Sequence, residues 1–372
     1  MQVDSNASEA LETSAQGIEW DFILPRTSRP PTLDSGSDFN IPDLVGAMTH
    51  GFSLESIQSY LEYYDRDMVK THINQNVYGF PAIFYAVATN NDQIVRTFVD
   101  HGANVIVAHE TSGTPLLAFA IVHSNTIRED TTTMVATLLS LGTPPNLIPS
   151  DLYTPYHQDL PENSQVSNTS SPRDPGTDWC TDVARAHLQR TANLTQRYHL
   201  DRATRVKKTS VRHRQVAKLK HAEPILGIPY FLIGQTIASD RLLQKLLSHL
   251  VIPSNRPLVL AFAGPSGHGK TELARRLGYL LGLDLEVVDC TIVRREIELF
   301  GPREPFRGAE KGSSINNFLA KHAGERCIVF LDEFEKTTSD IHQALLLPFD
   351  NGKYERSSIA FLFKLKYLYY CR

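Results

Sequence analysis

A glycine-rich loop between an apolar run and a helix-forming run constrains this 372-residue chain more than any other feature. The apolar run 258–263 is typical of a buried parallel strand. The residues after it follow G-x-x-x-x-G-K-[ST], a pattern that arises by chance in a chain of this length with odds on the order of one per cent. In such loops the glycines let backbone N–H groups surround phosphates, and the helix N-terminus adds the positive end of its dipole. We therefore predict an α/β domain whose phosphate-binding loop comprises Gly264, Pro265, Ser266, Gly267, His268, Gly269, Lys270 and Thr271.

The side chains with the most specific chemistry lie at the ends of two apolar runs. Lys270 is expected to contact the β- and γ-phosphates, and Thr271 to ligate Mg²⁺. The run 327–331 leads into Asp332, which lies 62 residues after Lys270 (332 − 270), and into Glu333. Asp332 is suited to hold Mg²⁺ through water, and Glu333 to orient or deprotonate an attacking water. We predict catalytic roles for Lys270 and Glu333, metal binding by Thr271 and Asp332, and ATP with Mg²⁺ as cofactors. The alternatives are a plain Gly-rich turn and two ordinary surface acids.

The first half of the chain contains an internal repeat. The sequence GFPAIFYA at 79–86 returns as GTPLLAFA at 113–120, an offset of 34 residues (113 − 79). Each copy precedes a second helical run that closes on a glycine, Gly102 or Gly142, and a leading Pro with a trailing Gly suits such helices. A stable stack needs about three repeats, and a degenerate helix pair upstream would supply the third. We predict a helical repeat domain at 42–150 that recognises a protein; the alternative is an ordinary α-hairpin domain with a chance echo.

This repeat resembles the ankyrin repeat, whose first helix opens on T-P-L-H-x-A. The match has departures, since Phe80 replaces Thr, and Phe84 and Ala118 stand where His is usual. The resemblance implies an α solenoid that acts as a binding scaffold without chemistry of its own. Its partners would be protein clients.

Residues 224–358 resemble the AAA+ module of Clp-type chaperone ATPases. The motif LDEFEK at 331–336 matches the family's L-D-E-I-E-K, and the DNG at 350–352 matches the end of the following helix. Ile233 and Gly234, followed by Gln235, are similar to the V-I-G-Q that lines the adenine pocket in that family, which makes them candidate cofactor-binding residues. Ankyrin repeats before a single Clp-type module resemble the ankyrin–Clp proteins.

A second Clp-like motif lies between the two apolar runs. The sequence GPREPFRGAEKG at 301–312 is similar to the pore loop G-x-P-P-G-Y-V-G-Y-E-E-G, with Phe306 at the position of the aromatic that grips a translocating polypeptide. Arg307 replaces Val and would put a charge into the channel. The resemblance implies a homo-oligomeric ring with Phe306 in its pore; the alternative is a solvent loop whose Phe packs locally.

The end of the chain departs from the family pattern. The resemblance implies a fourth strand ending in a polar sensor residue, then an arginine finger, a fifth strand and a helical lid, all after residue 358. Residues 359–372 match none of these, although 359–365 is apolar enough to fill the strand gap. We expect an incomplete AAA+ domain with an open groove beside its first strand, and attribute the ending to a truncated or misread gene model.

Charge divides the rest of the chain into segments, although 37 Lys+Arg nearly balance 41 Asp+Glu overall. Residues 1–41 are acidic and rich in Ser and Pro, which predicts a disordered tail, and the Pro-rich 151–181 predicts a linker. Segment 182–222 carries eleven Lys/Arg against two Asp at loose helical spacing, which predicts a basic helical arm. One interpretation is that the arm docks on an acidic surface or on nucleic acid. The alternative is a solvated helix that packs on its neighbours. We place the ATPase core at 223–358 and an atypical end at 359–372.

These observations predict an α ankyrin-repeat solenoid followed by an incomplete α/β P-loop (AAA+) domain. The function we expect is an ATP-binding and ATP-hydrolysing Clp-type chaperone ATPase that remodels clients chosen by the repeats. The alternative is a catalytically inactive nucleotide-binding ankyrin scaffold, and an arm-dependent DNA-associated ATPase ranks last. The four cysteines share no framework spacing, and the sequence has neither an apolar run long enough to span a membrane nor a leader pattern. We therefore expect a soluble protein of the cytoplasm, with the mitochondrial matrix as the alternative. Nucleic-acid and membrane partners are not expected.

Overall fold

The computed structural model describes residues 20–26, 33, 39–158, 176–206, 210–220, 222–232, 234–252, 257–265, 267–281, 283–302, 311–323, 326–351, 354–356, 359–361 and 367–371. The chain forms two compact units, residues 1–207 and residues 208–372, and each is described by itself. Within the ranges just given, no helix is both long and apolar enough to cross a lipid bilayer.

The described part of the first unit is a stack of short helices with a small hairpin. Its elements are α1 (Ile41–Thr49), α2 (Leu54–Tyr63), α3 (Arg66–His72), β1 (Asn76–Val77), β2 (Phe80–Pro81), α4 (Ala82–Ala88), α5 (Asp92–Asp100), α6 (Leu116–Ile127), α7 (Thr132–Ser140), α8 (Asp182–Thr191) and α9 (Leu194–Arg205). Helices α4, α6 and α8 form one row of contacts, and α5, α7 and α9 form a second row. Helices α1 and α2 contact α4 and α5, which extends both rows. The unit therefore repeats a helix pair along its length.

Two glycines end the second helix of consecutive pairs. Gly102 after α5 and Gly142 after α7 have φ values of +99° and +105°, the left-handed conformation that the sequence predicts there. The pairs are also joined by a polar contact, because the Thr137 hydroxyl on α7 donates to the Asp92 carboxylate on α5 at 3.1 Å. Arg96 pairs with Asp92 at 3.7 Å one turn further along α5. Backbone geometry and side-chain pairing thus fix the spacing between successive helix pairs.

The prediction of a disordered tail over 1–41 is wrong for residues 20–26 and for residues 39–41, where α1 begins. Trp20 stacks on Phe119 with ring centroids 5.5 Å apart, and Phe22 is only 3% exposed. The tail's acidic composition hides these two large apolar side chains, each of which can bury enough surface to order a short segment. Residues 1–19, 27–32 and 34–38 of the predicted tail lie outside the described residues.

The expected linker and basic arm are organised differently in the structure. The described residues of segment 182–222 include three helices, of which α8 and α9 pack in the first unit and α10 (Val211–Leu219) belongs to the second. Arg197 on α9 is 7% exposed and donates to the carbonyl oxygens of Leu152, Pro155 and Gln158, so the start of the Pro-rich 151–181 is docked on α9. A count of positive charges missed this, since a buried guanidinium can serve backbone acceptors instead of solvent.

The second unit contains a parallel sheet. Its elements are α10, a 3₁₀ turn (Glu223–Gly227), α11 (Ile228–Phe231), α12 (Thr236–Val251), β3 (Leu258–Phe262), α13 (Lys270–Leu281), β4 (Leu285–Asp289), α14 (Glu296–Phe300), α15 (Ser314–Lys321), β5 (Ile328–Asp332), α16 (Ser339–Asn351), β6 (Tyr354–Arg356), β7 (Ile359–Phe361) and β8 (Tyr367–Cys371). The sheet order is β3-β8-β5-β4, with every neighbouring pair parallel. Strands β3 and β5 lie within one residue of the runs 258–263 and 327–331 that the sequence predicts.

Alternate residues of β5 face two different cores. Ile328 and Phe330 belong to a cluster built with α10, α12 and α13, whereas Val329 and Leu331 belong to a cluster built with α14, α15 and α16. A strand covered on both faces needs a continuous apolar run, which is what the sequence provides. The sheet is therefore sandwiched between two helical layers.

The expected open groove beside the first strand is wrong. Strand β8 at 367–371 pairs with β3 on one side and with β5 on the other, so it occupies the gap. The run 359–365, which we expected to be the candidate for this role, instead supplies β7, and β7 pairs with β6 as an antiparallel hairpin. Both runs are apolar enough to form strands, and the aromatic residues of 367–371 are also strong strand formers. Composition alone could not choose between them.

Candidate nucleotide-binding site

The parallel sheet brings the predicted loop and the predicted acids to one edge. Because β3 and β5 run in the same direction, with β8 between them, their carboxyl ends lie at the same edge of the sheet. The glycine-rich loop leaves β3 at Phe262 and enters α13 at Lys270, and β5 ends at Asp332. In open parallel sheets this edge is where ligands bind.

The loop itself is exposed and depends on glycine. Gly267 and Gly269 have φ values of +78° and +75°, where a side chain would strain the backbone. The carbonyl of Gly269 accepts from the N–H of Leu273 at 2.8 Å, which starts the first turn of α13. His268 is exposed on the loop, and the predicted Ser266 lies outside the described residues.

The ammonium group of Lys270 folds back over the loop. Its Nζ donates to the carbonyl oxygens of Gly264 and Pro265 at 3.1 and 2.9 Å. These acceptors are neutral, and a phosphate would offer charged acceptors that form stronger hydrogen bonds. The side chain is therefore placed on the phosphate-binding loop, with partners that a polyphosphate can replace.

Thr271 at the start of α13 lies close to Asp332 at the end of β5. The Thr271 hydroxyl lies 3.2 and 3.4 Å from the two carboxylate oxygens of Asp332, and donates to them. The N–H of Glu333 also donates to Asp332 Oδ1, at 3.1 Å. A hydroxyl and a carboxylate are hard oxygen donors of the kind that Mg²⁺ prefers. The residues present therefore fit a magnesium ion held together with phosphate oxygens.

Glu333 occupies a strained position at the end of β5. Its φ is +54°, in the left-handed region that non-glycine residues rarely adopt. The exposed carboxylate pairs with Lys336 Nζ at 2.8 Å. The hydrogen bond and charge of Lys336 hold the pKa of Glu333 below its usual value, so the carboxylate is ionised at neutral pH. A general base needs that charge state.

Two residues at this edge have roles that the sequence reasoning missed. Lys336 lies three residues after Glu333 in the motif LDEFEK, and that spacing is the signal for a pair on one helical turn. Asp289 ends β4 directly opposite Asp332 in the sheet register. Hydrogen bonds from the Thr291 hydroxyl and N–H hold the pKa of Asp289 below its usual value, so a second carboxylate lies at this edge.

The remaining predicted residues are more peripheral. Gly234 lies in a turn between α11 and α12, with a φ of +72°, and α11 contacts α13. Ile233 and Phe306 lie outside the described residues. The structure therefore brings together Lys270, Thr271, Asp332 and Glu333, and the adenine-side and pore-loop assignments stay predictions.

Comparisons with known proteins find relatives for part of this chain. Residues 259–366 match the family described as AAA domain (dynein-related subfamily). A Lon protease of Brevibacillus choshinensis is 36% identical over 123 residues, 33% of this chain and 15% of the relative. A ClpA homolog protein of Fuscovulum blasticum is 33% identical over 95 residues, 25% of this chain and 12% of the relative. A Lon protease of Lawsonia intracellularis is 32% identical over 135 residues, 36% of this chain and 15% of the relative.

These matches support an AAA+ ATPase with an α/β P-loop fold and Lon- and ClpA-like relatives. They support ATP binding and ATPase activity in general, and members of such families commonly form oligomeric rings. The matched segments span only 12–15% of the length of these three relatives. The family match also begins at residue 259, so it does not include the helical first unit.

Proposed function

We propose that the second unit binds and hydrolyses MgATP at the sheet edge formed by the loop 263–269 and the end of β5. The observation that carries this proposal is the convergence of Lys270, Thr271, Asp332 and Glu333, which come from two elements 61 residues apart. Lys270 would stabilise the charge of the phosphates. Thr271 and Asp332 would hold Mg²⁺, which supplies further positive charge for phosphoryl transfer.

Glu333 would orient and deprotonate the attacking water. Its ionised carboxylate can accept a proton, but one of its oxygens is held by Lys336 in this structure. To act as the base, Glu333 must either use its other oxygen or release Lys336. The ion pair is exposed and therefore weak, so its release costs little.

We further propose that ATP turnover drives Clp-type remodelling of protein clients. In this proposal the repeats at 42–150 are ankyrin-like and choose the client, and a homo-oligomeric ring holds Phe306 in its pore. Support comes from the stacked helix pairs of the first unit and from the Lon- and ClpA-like relatives of the second. The cytoplasm is the compartment we propose. The alternative is a nucleotide-binding scaffold without turnover.

The test compares Lys270→Ala with Lys245→Ala in the full chain. Lys245 is an exposed lysine on α12, so its substitution removes the same charge away from the loop. We expect Lys270→Ala to lose ATP binding and phosphate release, and Lys245→Ala to keep both. Equal ATP binding by Lys270→Ala and the unmodified chain would reject the assigned site.

A further inference from the structure

The segment Trp20–Ile23 lies on a surface of aromatic rings in the first unit. The Trp20 ring lies within 4.9–6.0 Å, centroid to centroid, of the four rings of Phe80, Phe84, His109 and Phe119. We call these four residues the aromatic platform. Phe22 stacks on Trp20 at 5.2 Å, is 3% exposed and lies 5.5 Å from the ring of His187 on α8.

The aromatic platform is held together by contacts that do not involve Trp20. Phe80 and His109 stack nearly parallel, with centroids 4.2 Å apart and planes 6° apart. His109 is fixed by its own loop, since its backbone N–H donates to the backbone carbonyl of Thr114 at 2.8 Å and its ring Nδ1 lies 2.8 Å from Ser112 Oγ. Burial lowers the pKa of His109, so its ring is neutral at pH 7 and stacks as an aromatic. These contacts pre-organise an aromatic surface for another ring, which stacks on Phe119 and meets the other three rings tilted or edge-on.

The segment on the platform is a turn that carries its own hydrogen bonds. The indole N–H of Trp20 donates to Ile23 O at 2.9 Å, and the N–H of Ile23 donates to Asp21 Oδ1 at 3.0 Å. Asp21 and Ile23 are exposed, so the turn presents the Trp20 ring to the platform, the Phe22 ring to His187 beside Trp20, and its carboxylate to solvent. Ring stacking does not require backbone hydrogen bonds between the two partners. Another turn with the same rings can therefore replace this one.

We infer that the aromatic platform is a recognition site for a short polypeptide turn with two aromatic side chains flanking an acidic residue, and that Trp20–Ile23 is its intramolecular occupant. The partner is a protein that displays such a turn and displaces the chain's own copy. This inference rests on the proposed recognition role of the first unit and is independent of ATP turnover. The tether gives the internal copy an effective concentration in the millimolar range, so it is a strong competitor.

The experiment measures binding of a fluorescent peptide, QGIEWDFILPRT, which corresponds to residues 16–27. The proteins are the full chain, the double variant Trp20→Ala/Phe22→Ala, and Tyr63→Ala as a control that removes an exposed ring elsewhere in the same unit. No nucleotide is present, and phosphate release is assayed separately. Failure of ATP hydrolysis and failure of peptide recognition are therefore distinguishable.

We expect the double variant to bind the peptide at least tenfold more tightly than the unmodified chain or Tyr63→Ala, because its platform is free. A peptide with Ala in place of both aromatic residues should lose that binding. Equal binding by the double variant and the unmodified chain, or by the two peptides, would overturn the inference. Loss of the helical circular dichroism of the double variant would overturn it too, because the segment would then be an integral part of the fold.

Discussion

The two units present opposite kinds of surface. The sheet edge of the second unit gathers charged and polar side chains in exposed or partly exposed positions, with Lys270, Asp332 and Glu333 among them. The aromatic platform of the first unit gathers rings that are almost fully buried beneath Trp20. Charged, partly solvated groups suit a polyphosphate and its metal, whereas stacked rings suit a polypeptide turn.

This contrast implies a division of labour within one chain. A substitution at the sheet edge should change ATP binding or turnover and leave peptide binding unchanged, and a substitution in the first unit should do the reverse.

The largest effect is expected for Glu333→Gln. Loss of a general base lowers turnover by about 10²–10⁴-fold, whereas the neutral amide leaves Lys270 and the loop in place to bind ATP. Phosphate release and retention of ATP on the protein measure the two effects. Glu223→Gln, an exposed glutamate in the same unit, serves as the control. Similar turnover in both variants would contradict the role of Glu333 as the general base.

Phe330→Ala should destabilise the second unit. The Phe330 side chain is fully buried in β5, and truncation of such a ring costs about 3–5 kcal/mol in unfolding free energy. Val287→Ala on the neighbouring β4 is the control, because Val287 is 39% exposed. Denaturant unfolding followed by circular dichroism measures the cost. Both tryptophans, Trp20 and Trp179, belong to the first unit, so tryptophan fluorescence should report an unchanged transition.

Two matched glycine substitutions should separate backbone strain from steric overlap. Gly102→Ala places a Cβ 2.7 Å from Lys70 Cγ in a left-handed conformation, whereas Gly142→Ala has the same kind of backbone and nothing within 4 Å. The left-handed conformation costs about 1–2 kcal/mol in each variant. We expect a larger loss of stability for Gly102→Ala, measured by urea unfolding. Equal losses would mean that the Lys70 side chain moves aside without cost.

The smallest effect is expected for Lys336→Gln. Because Lys336 holds the pKa of Glu333 low, its removal should raise that pKa towards the usual value for a glutamate. Turnover that needs ionised Glu333 should then fall at a higher pH as the solution is acidified. The acidic limb of the pH–rate profile measures this shift, with Lys321→Gln on α15 as the control. An unmoved limb would show that Lys336 does not tune the base.

The sequence predicted those parts of the site whose residues all lie within one local pattern. The loop, Lys270 and Thr271 lie within one strand–loop–helix element, and the buried run before Asp332 marks β5 on its own. The aromatic platform was missed because its members at 80, 84, 109 and 119 meet one another and Trp20 only after the helix pairs stack. Strand β8 was missed for a related reason, since two apolar runs competed for one gap and pairing with β3 and β5 decided between them.

Phosphate release by the unmodified full chain tests the central claim most directly, with ATP supplied together with Mg²⁺ or with a chelator. Our account predicts release that requires Mg²⁺ and exceeds the background of Lys270→Ala. ATP binding without release above that background would contradict it, and would favour the nucleotide-binding scaffold.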